Sequence, residues 1–292
     1  MTSDDSSAYK KDYGSAAVLV LASVFFFTFT TFIAKSLGRA DLNPLHPILI
    51  ACFRFIFGFL TILPIWLLRK PHASRRNLSL HAGRATFGWL GLACLFYAAV
   101  KIPLADANAI SFLSVVVALF LSAWLLGESV NRTRWLSAVV SLIGAVLIIK
   151  PGSSLFDPYA LFGLMAALFI GIEIIFIKRL SDQDDPIRIL FLNNLVGATI
   201  SVVVAVSVWT SPTAAQWFGL AAIGCIMIVA QFLNVQSLRR ADASFVAPFW
   251  LTVPVFALVL DIWLNGQSID PLSLSGIAMV ASGGALIYRT RN

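Results

Sequence analysis

The sequence predicts an all-α integral membrane protein: ten transmembrane helices built as two inverted five-helix repeats, with both termini cytoplasmic. Three observations carry this. Of 292 residues, 59% are hydrophobic and only 12% are charged, about half the charged share of a soluble domain. Apolar stretches of about twenty residues recur, each able to cross a hydrocarbon core about 30 Å thick. They do not alternate polar with apolar residues, as the strands of a membrane barrel do. Finally, the order of motifs in the first half returns in the second, the signature of an internal repeat.

The elements follow in order. Residues 1–13, MTSDDSSAYKKDY, are polar and read as a disordered tail. The apolar run behind them is too long for a signal-peptide core and lacks a small-residue cleavage site, so it stays as the first span. Loops with Pro, Gly, Asn and Asp then set spans at 14–37, 46–69, 82–101, 104–126 and 132–150, and at 158–180, 186–209, 213–238, 242–264 and 271–288. Residues 14–150 form the first repeat, 151–288 the second, and 289–292 a short tail. No soluble domain is inserted, so functional groups belong inside the bundle or on its two faces.

Lys and Arg set the orientation, because they concentrate in cytoplasmic loops. One face receives Lys10, Lys11, Arg69, Lys70, Arg75, Arg76, Arg84, Arg132 and Arg134, then Lys178, Arg179, Arg188, Arg239, Arg240, Arg289 and Arg291. The other has Lys35, Arg39, Lys101 and Lys150. The net charge of +7 is this bias, and no nucleic-acid partner is expected. Cys52, Cys94 and Cys225 fall in apolar runs and read as small core residues.

The repeat is visible in short motifs. Asp106-Ala-Asn-Ala-Ile-Ser-Phe112 opens one long helix and Asp242-Ala-Ser-Phe-Val-Ala-Pro248 opens another. The first closes with Gly127-Glu-Ser129 and the second with Gly266-Gln-Ser268. Phe32–Leu37 resembles Phe176–Leu180, and Pro47 and Pro186 each open the helix that follows. Five helices per half is an odd number, so the second half is inverted. Inverted repeats recur in secondary transporters, with the substrate site near the midplane where the halves meet.

With the Arg54-Phe55 pair in helix 2 and the Gly127-Glu-Ser129 turn after helix 4, this layout resembles the drug/metabolite transporter superfamily, and its EamA-type members most closely. The resemblance spans about residues 14–288. It implies a central cavity between helices 1–4 and 6–9, peripheral helices 5 and 10, and export of amino acids or other metabolites across the inner membrane.

Polar residues at membrane depth are costly and mark function. Arg54 lies about 10 Å inside one surface at 1.5 Å per residue. Its fork suits a substrate carboxylate, but the resemblance, whose Arg-Phe pair occurs with differing substrates, favours a structural or gating role, held by backbone carbonyls or an acid such as Asp261. Glu173 either carries a coupling proton, meets a substrate amino group, or pairs toward Lys178 and Arg179. Asn193 and Asn194 lie near the repeat position of Arg54, and Gln231 and Asn234 share a face of helix 8. The cavity candidates are Tyr97, Asn108, Ser111, Glu173, Asn194, Gln231, Asn234 and Trp250. Pro248 and Pro254 remove backbone hydrogen bonds in helix 9, where a kink or loosened turn is expected. Trp66, Trp209, Trp217 and Trp263 read as interfacial anchors. Ser137, Ser141 and Ala145 of helix 5 and Ala281 and Ala285 of helix 10 permit close contact, within a monomer or across a weak homodimer.

Other classes fit poorly. There is no G-x-x-x-x-G-K-[ST] phosphate loop. The acidic run Ser181–Pro186 has no second acidic cluster to form a two-metal site, and His46, His72 and His81 stand at or outside span ends. No enzyme, metal or cofactor is expected. With Arg54 read as the sole deep cation, strongly anionic phosphate esters are disfavoured. The expectation is a carrier of small neutral or zwitterionic metabolites, amino acids first, working by alternating access; the alternative is a same-fold carrier for nucleoside-like or cationic metabolites, or uptake in place of export. A channel is the more remote reading.

Overall fold

A computed structural model describes residues 11–38, 43–69, 77–102, 104–152, 157–265 and 270–289. The described chain is helical throughout. Helix 1 spans Tyr13–Gly38, helix 2 Pro47–Arg69, helix 3 Leu78–Lys101, helix 5 Arg132–Ile149, helix 6 Ala160–Gln183, helix 7 Pro186–Ala205, helix 8 Ala214–Arg240 and helix 10 Pro271–Arg289. Helix 4 is two pieces, Leu104–Ser111 and Ser114–Leu125. Helix 9 runs through Ala243–Val246, a 3-10 stretch at Ala247–Thr252, and Val253–Asn265. Nine of these, among the described residues, are long and apolar enough to cross a membrane. Helix 3 is not among the nine; it has 24 residues and carries His81, Arg84 and Lys101.

Local chemistry explains several ends. Asp185 accepts from the Ile187 N–H at 2.8 Å and Pro186 opens helix 7, where a missing N–H costs nothing. Thr213 and Gln216 form a reciprocal capping box at the start of helix 8, satisfying two orphan donors. Lys150 closes helix 5 in the left-handed region, φ 52°.

The helix pairing follows the internal repeat. Helix 1 packs on helix 8, and helix 6 packs on helix 3, its counterpart pair. Helix 2 packs on helix 7 and helix 5 on helix 10, each helix meeting its own mate. In lipid no hydrophobic force drives helices together, so close approach through small residues does it. A Cβ at Gly83 would stand 2.5 Å from the Phe176 ring, and one at Gly91 2.9 Å from Ile170. These glycines let helix 3 lie against helix 6.

The helix 5–helix 10 seam is tighter still. A Cβ on Gly144 would lie 2.7 Å from the Gly276 carbonyl oxygen, and the reverse contact is the same. The Ser137 hydroxyl donates to the Gly283 carbonyl at 2.6 Å. Ser137, Ser141 and Ala145 are buried there as expected, but Ala281 and Ala285 are exposed. Gly276, Val280 and Gly283 take the place expected for them. The cause is helical phase: the glycines sit on the stripe facing helix 5, and the two alanines turn away from it.

Two further expectations change. Lys11 and Tyr13 are held by Asp242, and the Asp12 N–H donates to the Arg240 carbonyl at 3.0 Å. The helical bundle therefore engages residues 11–13 of the expected 1–13 tail. Trp66 packs face to face on Phe191, centroids 4.4 Å apart, which makes it a packing residue, whereas Trp209 and Trp263 are exposed. The second-half turn Gly266-Gln267-Ser268 lies outside the described residues.

Candidate functional site

Helices 2 and 7 cross at a reciprocal contact. A Cβ at Gly58 would stand 2.6 Å from the Asn194 side-chain oxygen, and one at Gly197 would stand 2.4 Å from the Phe55 ring. Counting from Pro47 and Pro186, Gly58 matches Gly197, Phe55 matches Asn194, and Arg54 matches Asn193. The same crossing thus presents a cation from one repeat and an amide from the other.

Arg54 is half-buried, one turn from Gly58. Its guanidinium carbon lies 4.5 Å from the Phe55 ring centroid. Among the described residues it forms no hydrogen bond or ion pair, and its Nε is buried without a partner. Asp261, the alternative partner, is reached by Lys35 at 3.4 Å.

Glu173 projects from helix 6 onto helix 3. A Cβ at Gly88 would stand 2.8 Å from its carboxyl carbon, so glycine there makes the room it occupies. Glu173 has neither a hydrogen bond nor an ion pair among the described residues. Lys178 donates to Asp182 at 2.8 Å and to the Leu238 carbonyl at 2.7 Å, and Arg179 donates to the Leu125 carbonyl at 2.9 Å. The expected alternative, Glu173 pairing toward those two, is therefore overturned: both are directed toward the basic face.

Arg84, from helix 3, is a second buried cation. Arg84 corrects the reading of Arg54 as the sole deep cation. It is 4% exposed, donates to the Ile189 carbonyl at 3.2 Å and keeps a buried Nε without a partner. It stands one turn from Gly88 on the same face of helix 3, toward the basic face. In sequence it merged with the loop arginines because it lies only two residues inside the expected span.

Amides complete the centre. The Gln231 oxygen accepts from Asn193 and Asn194, both at 3.4 Å, and Asn194 also donates to the Leu190 carbonyl at 2.8 Å. The Asn234 oxygen, one turn along helix 8, is buried with no donor. The structure therefore joins Asn193, Asn194 and Gln231 of helices 7 and 8 by hydrogen bonds, with Asn234 one turn along helix 8 and Arg54 one turn from Gly58, on which Asn194 rests; Glu173 stands against Gly88 of helix 3.

The remaining candidates lie elsewhere. The Ser111 hydroxyl donates to the Asn108 carbonyl at 2.8 Å, where helix 4 breaks. Trp250 stands edge-on to Phe27 at 5.2 Å, within the 3-10 stretch of helix 9. Pro248 lies in that stretch and Pro254 just beyond it. Tyr97 is 45% exposed and packs on Phe162 at 4.4 Å, away from the central group.

A second polar network ties the basic face. Glu128 accepts from the Ala243 and Ser244 N–H groups at 2.7 and 2.9 Å and from the Ser244 hydroxyl at 2.6 Å. Arg134 donates to the Ser244 hydroxyl at 2.6 Å and to Asp242 at 3.0 Å. Glu128 thereby occupies the N-terminus of helix 9, where an anion meets orphan N–H groups. Nearby, His81 meets Asp184 at 2.8 Å and Asp184 accepts from Arg188.

The sequence profile of the EamA-like transporter family matches residues 14–150 and again 157–289. The chain belongs to the EamA-like transporter family. It is 29% identical over 276 residues to the pseudopaline exporter CntI of Pseudomonas aeruginosa, covering 94% of this chain and 96% of that one. It is 24% identical over 237 residues to the S-adenosylmethionine uptake transporter of Rickettsia bellii, covering 81% of each. A solved crystal structure shares the EamA-like fold at TM-score 0.80 and 17% identity, over 94% of this chain and 98% of that chain. The chain is a multi-pass membrane transporter, and its relatives are named as transporters, not enzymes.

Proposed function

We propose that the protein is a secondary transporter that exports small zwitterionic metabolites, amino acids first, across the cytoplasmic membrane by alternating access. In this reading residues 14–150 and 151–288 are the two moving halves, and the basic face with both termini lies in the cytoplasm. The observation that carries it is a set of interior polar groups left open: the Arg54 Nε and the Asn234 oxygen are buried without a partner, and Glu173 projects into the room left by Gly88. Buried charges normally pair; a cation and a carboxylate left without an ion pair are suited to a ligand bearing both signs. A substrate carboxylate takes the Arg54 fork in two parallel hydrogen bonds. Its ammonium donates to Glu173 and to the orphan Asn234 oxygen, while Asn193 and Gln231 meet neutral polar groups.

Glu173 also serves as the candidate proton site: a carboxylate that meets the ammonium in one state takes a proton in another. Uptake of a nucleoside-like or cationic metabolite is the second reading, favoured by the relative named for S-adenosylmethionine uptake. The test is transport of labelled amino acids into liposomes holding the purified protein, with and without a pH gradient. Saturable uptake and counterflow of a subset support the reading, and dependence on the gradient supports the proton role. Failure of every amino acid in a folded preparation overturns it. Arg54→Lys keeps the charge and loses the fork; wild-type transport by that variant would remove Arg54 from the site.

A further inference from the structure

Resting on alternating access, we infer that residues 11–13 are a latch. Through Asp242 they hold the basic face closed, while the counterpart clasp on the opposite face, Gly152 on Asp106, is the one that parts more readily.

Each clasp joins the two repeats, and each is made by the segment that leads into a repeat. At the start of helix 1, Lys11 and the Tyr13 hydroxyl donate to one oxygen each of Asp242. Between them the Asp12 N–H donates to the Arg240 carbonyl at 3.0 Å. The Tyr13 ring stands edge-on to Phe245 of helix 9, centroids 4.9 Å apart. Arg134 of helix 5 adds a hydrogen bond to Asp242 at 3.0 Å. Two cations and a phenol, all from the first repeat, thus hold one carboxylate of the second. Ahead of helix 6, the Gly152 N–H donates to one oxygen of Asp106. Asp106 opens helix 4 as Asp242 opens helix 9, so the internal repeat relates the two contacts.

Their chemistry differs. Asp106 is fully buried, and its second oxygen has no partner. Among the described residues no cation pairs with it: Lys150 is with Asp270, and Lys101 lies over the Tyr159 ring. Counting from Gly127 and Gly266, the position of Arg134 is filled by Ser273, whose hydroxyl donates to Asp270 at 2.7 Å. A buried carboxylate with one oxygen open is costly, and water entering at that face relieves the cost. Asp242 has charge-assisted bonds to both oxygens and would lose them by opening. Lys11 and Tyr13 supply part of that difference between the faces.

The test reads thiol reactivity at repeat-related positions, Ala107→Cys and Ala243→Cys. Each is introduced into the full chain in lipid nanodiscs, with Cys52, Cys94 and Cys225 changed to alanine. Both alanines are fully buried, so an uncharged polar maleimide reaches a thiol there only when the face beside it parts. Ala107→Cys is expected to react about tenfold faster than Ala243→Cys. Lys11→Ala with Tyr13→Phe should speed Ala243→Cys by about tenfold and slow Ala107→Cys, because one face closes as the other opens. Lys11→Arg, which keeps the charge, should leave both rates near the parent's. Asp106→Asn, which removes the open charge, should slow Ala107→Cys.

An Ala243→Cys rate unmoved by the double change overturns the latch, and so does a rise at both positions, which is a general loosening. Equal rates in the parent, or a faster Ala243→Cys, overturn the difference between the faces. An unslowed Ala107→Cys in Asp106→Asn removes Asp106 as its cause. A rise at Ala243→Cys with Ala107→Cys unmoved supports the latch and counts against alternating access instead. If the double variant does not fold, ionic strength decides, since the exposed Lys11 pair is screened by salt. The Ala243→Cys rate should then rise with salt in the parent and not in Lys11→Ala; the same salt response in both overturns the latch.

Discussion

Asn194 rests its side-chain oxygen on Gly58, where a Cβ would stand 2.6 Å away. The mate of this contact, Phe55 on Gly197, is closer still at 2.4 Å. The two positions are related by the repeat, yet one carries an amide and the other an aromatic ring. A duplicated frame thus holds an asymmetric site: the crossing geometry is shared, and the chemistry is not.

Gly58→Ala tests that crossing. The added methyl meets an amide that is itself tied to Leu190 and Gln231, so Asn194 must turn and give up those bonds. Overpacking of this kind costs about 1–3 kcal/mol. The expected result is a lower unfolding temperature in detergent together with weaker substrate binding. Gly197→Ala should destabilise at least as much, since the ring of Phe55 is bulky and its approach shorter, but affect binding less.

Much of this was legible in the sequence, and the gaps have physical causes. Hydropathy finds helices because the bilayer leaves the backbone no other way to satisfy itself. Arg54 and Glu173 stood out because they interrupt long apolar runs. Arg84 did not, since a residue near a span end counts toward a loop until its burial is known. Gly88 carried no signal either: glycine is common in such helices, and only the helix 3–helix 6 approach shows what it accommodates. Composition marks Ala281, Ala285, Gly276 and Gly283 alike as small residues and does not fix which stripe faces the neighbour.

The helix 5–helix 10 seam gives a second test. Both close approaches at Gly144 and Gly276 are to backbone oxygen, which cannot rotate aside as a side chain does. Gly276→Val should therefore separate the helices and cost more than Gly58→Ala, above about 3 kcal/mol. Thermal unfolding measures it. Because the small-residue face is consumed within one chain, the oligomeric state of the folded fraction in detergent is expected to be unchanged.

Asp270, just before helix 10, gives the pH dependence. The Lys150 ammonium beside it, with the Ser273 backbone N–H and hydroxyl, holds its carboxyl well below the usual carboxylate range. A depressed folded-state value contributes stability that is present above the unfolded value of about 3.9 and is lost as pH falls through the folded one. The contact is exposed, so salt weakens it. Stability should thus show no effect of this pair between about pH 5 and 8. Lys150→Ala should lower the unfolding temperature slightly in dilute buffer, with the difference shrinking in high salt.

Glu128 carries the last prediction. Its two oxygens take three hydrogen bonds from the first residues of helix 9, and Ala243 and Ser244 beneath them are fully buried. Removing the carboxylate leaves two backbone donors and a hydroxyl without acceptors, at about 1–3 kcal/mol for each group that stays buried. The molecule can avoid that cost by letting water in, which means parting helix 9 from the helix 4–helix 5 turn. A thiol placed at Ala243 reports the parting. In Ala243→Cys alone it should react slowly with a membrane-impermeant maleimide offered from the basic face; with Glu128→Ala added it should react at least about tenfold faster, the factor that 1.4 kcal/mol corresponds to. Equal rates in the two backgrounds would mean that Glu128 merely caps a helix and does not hold this face closed.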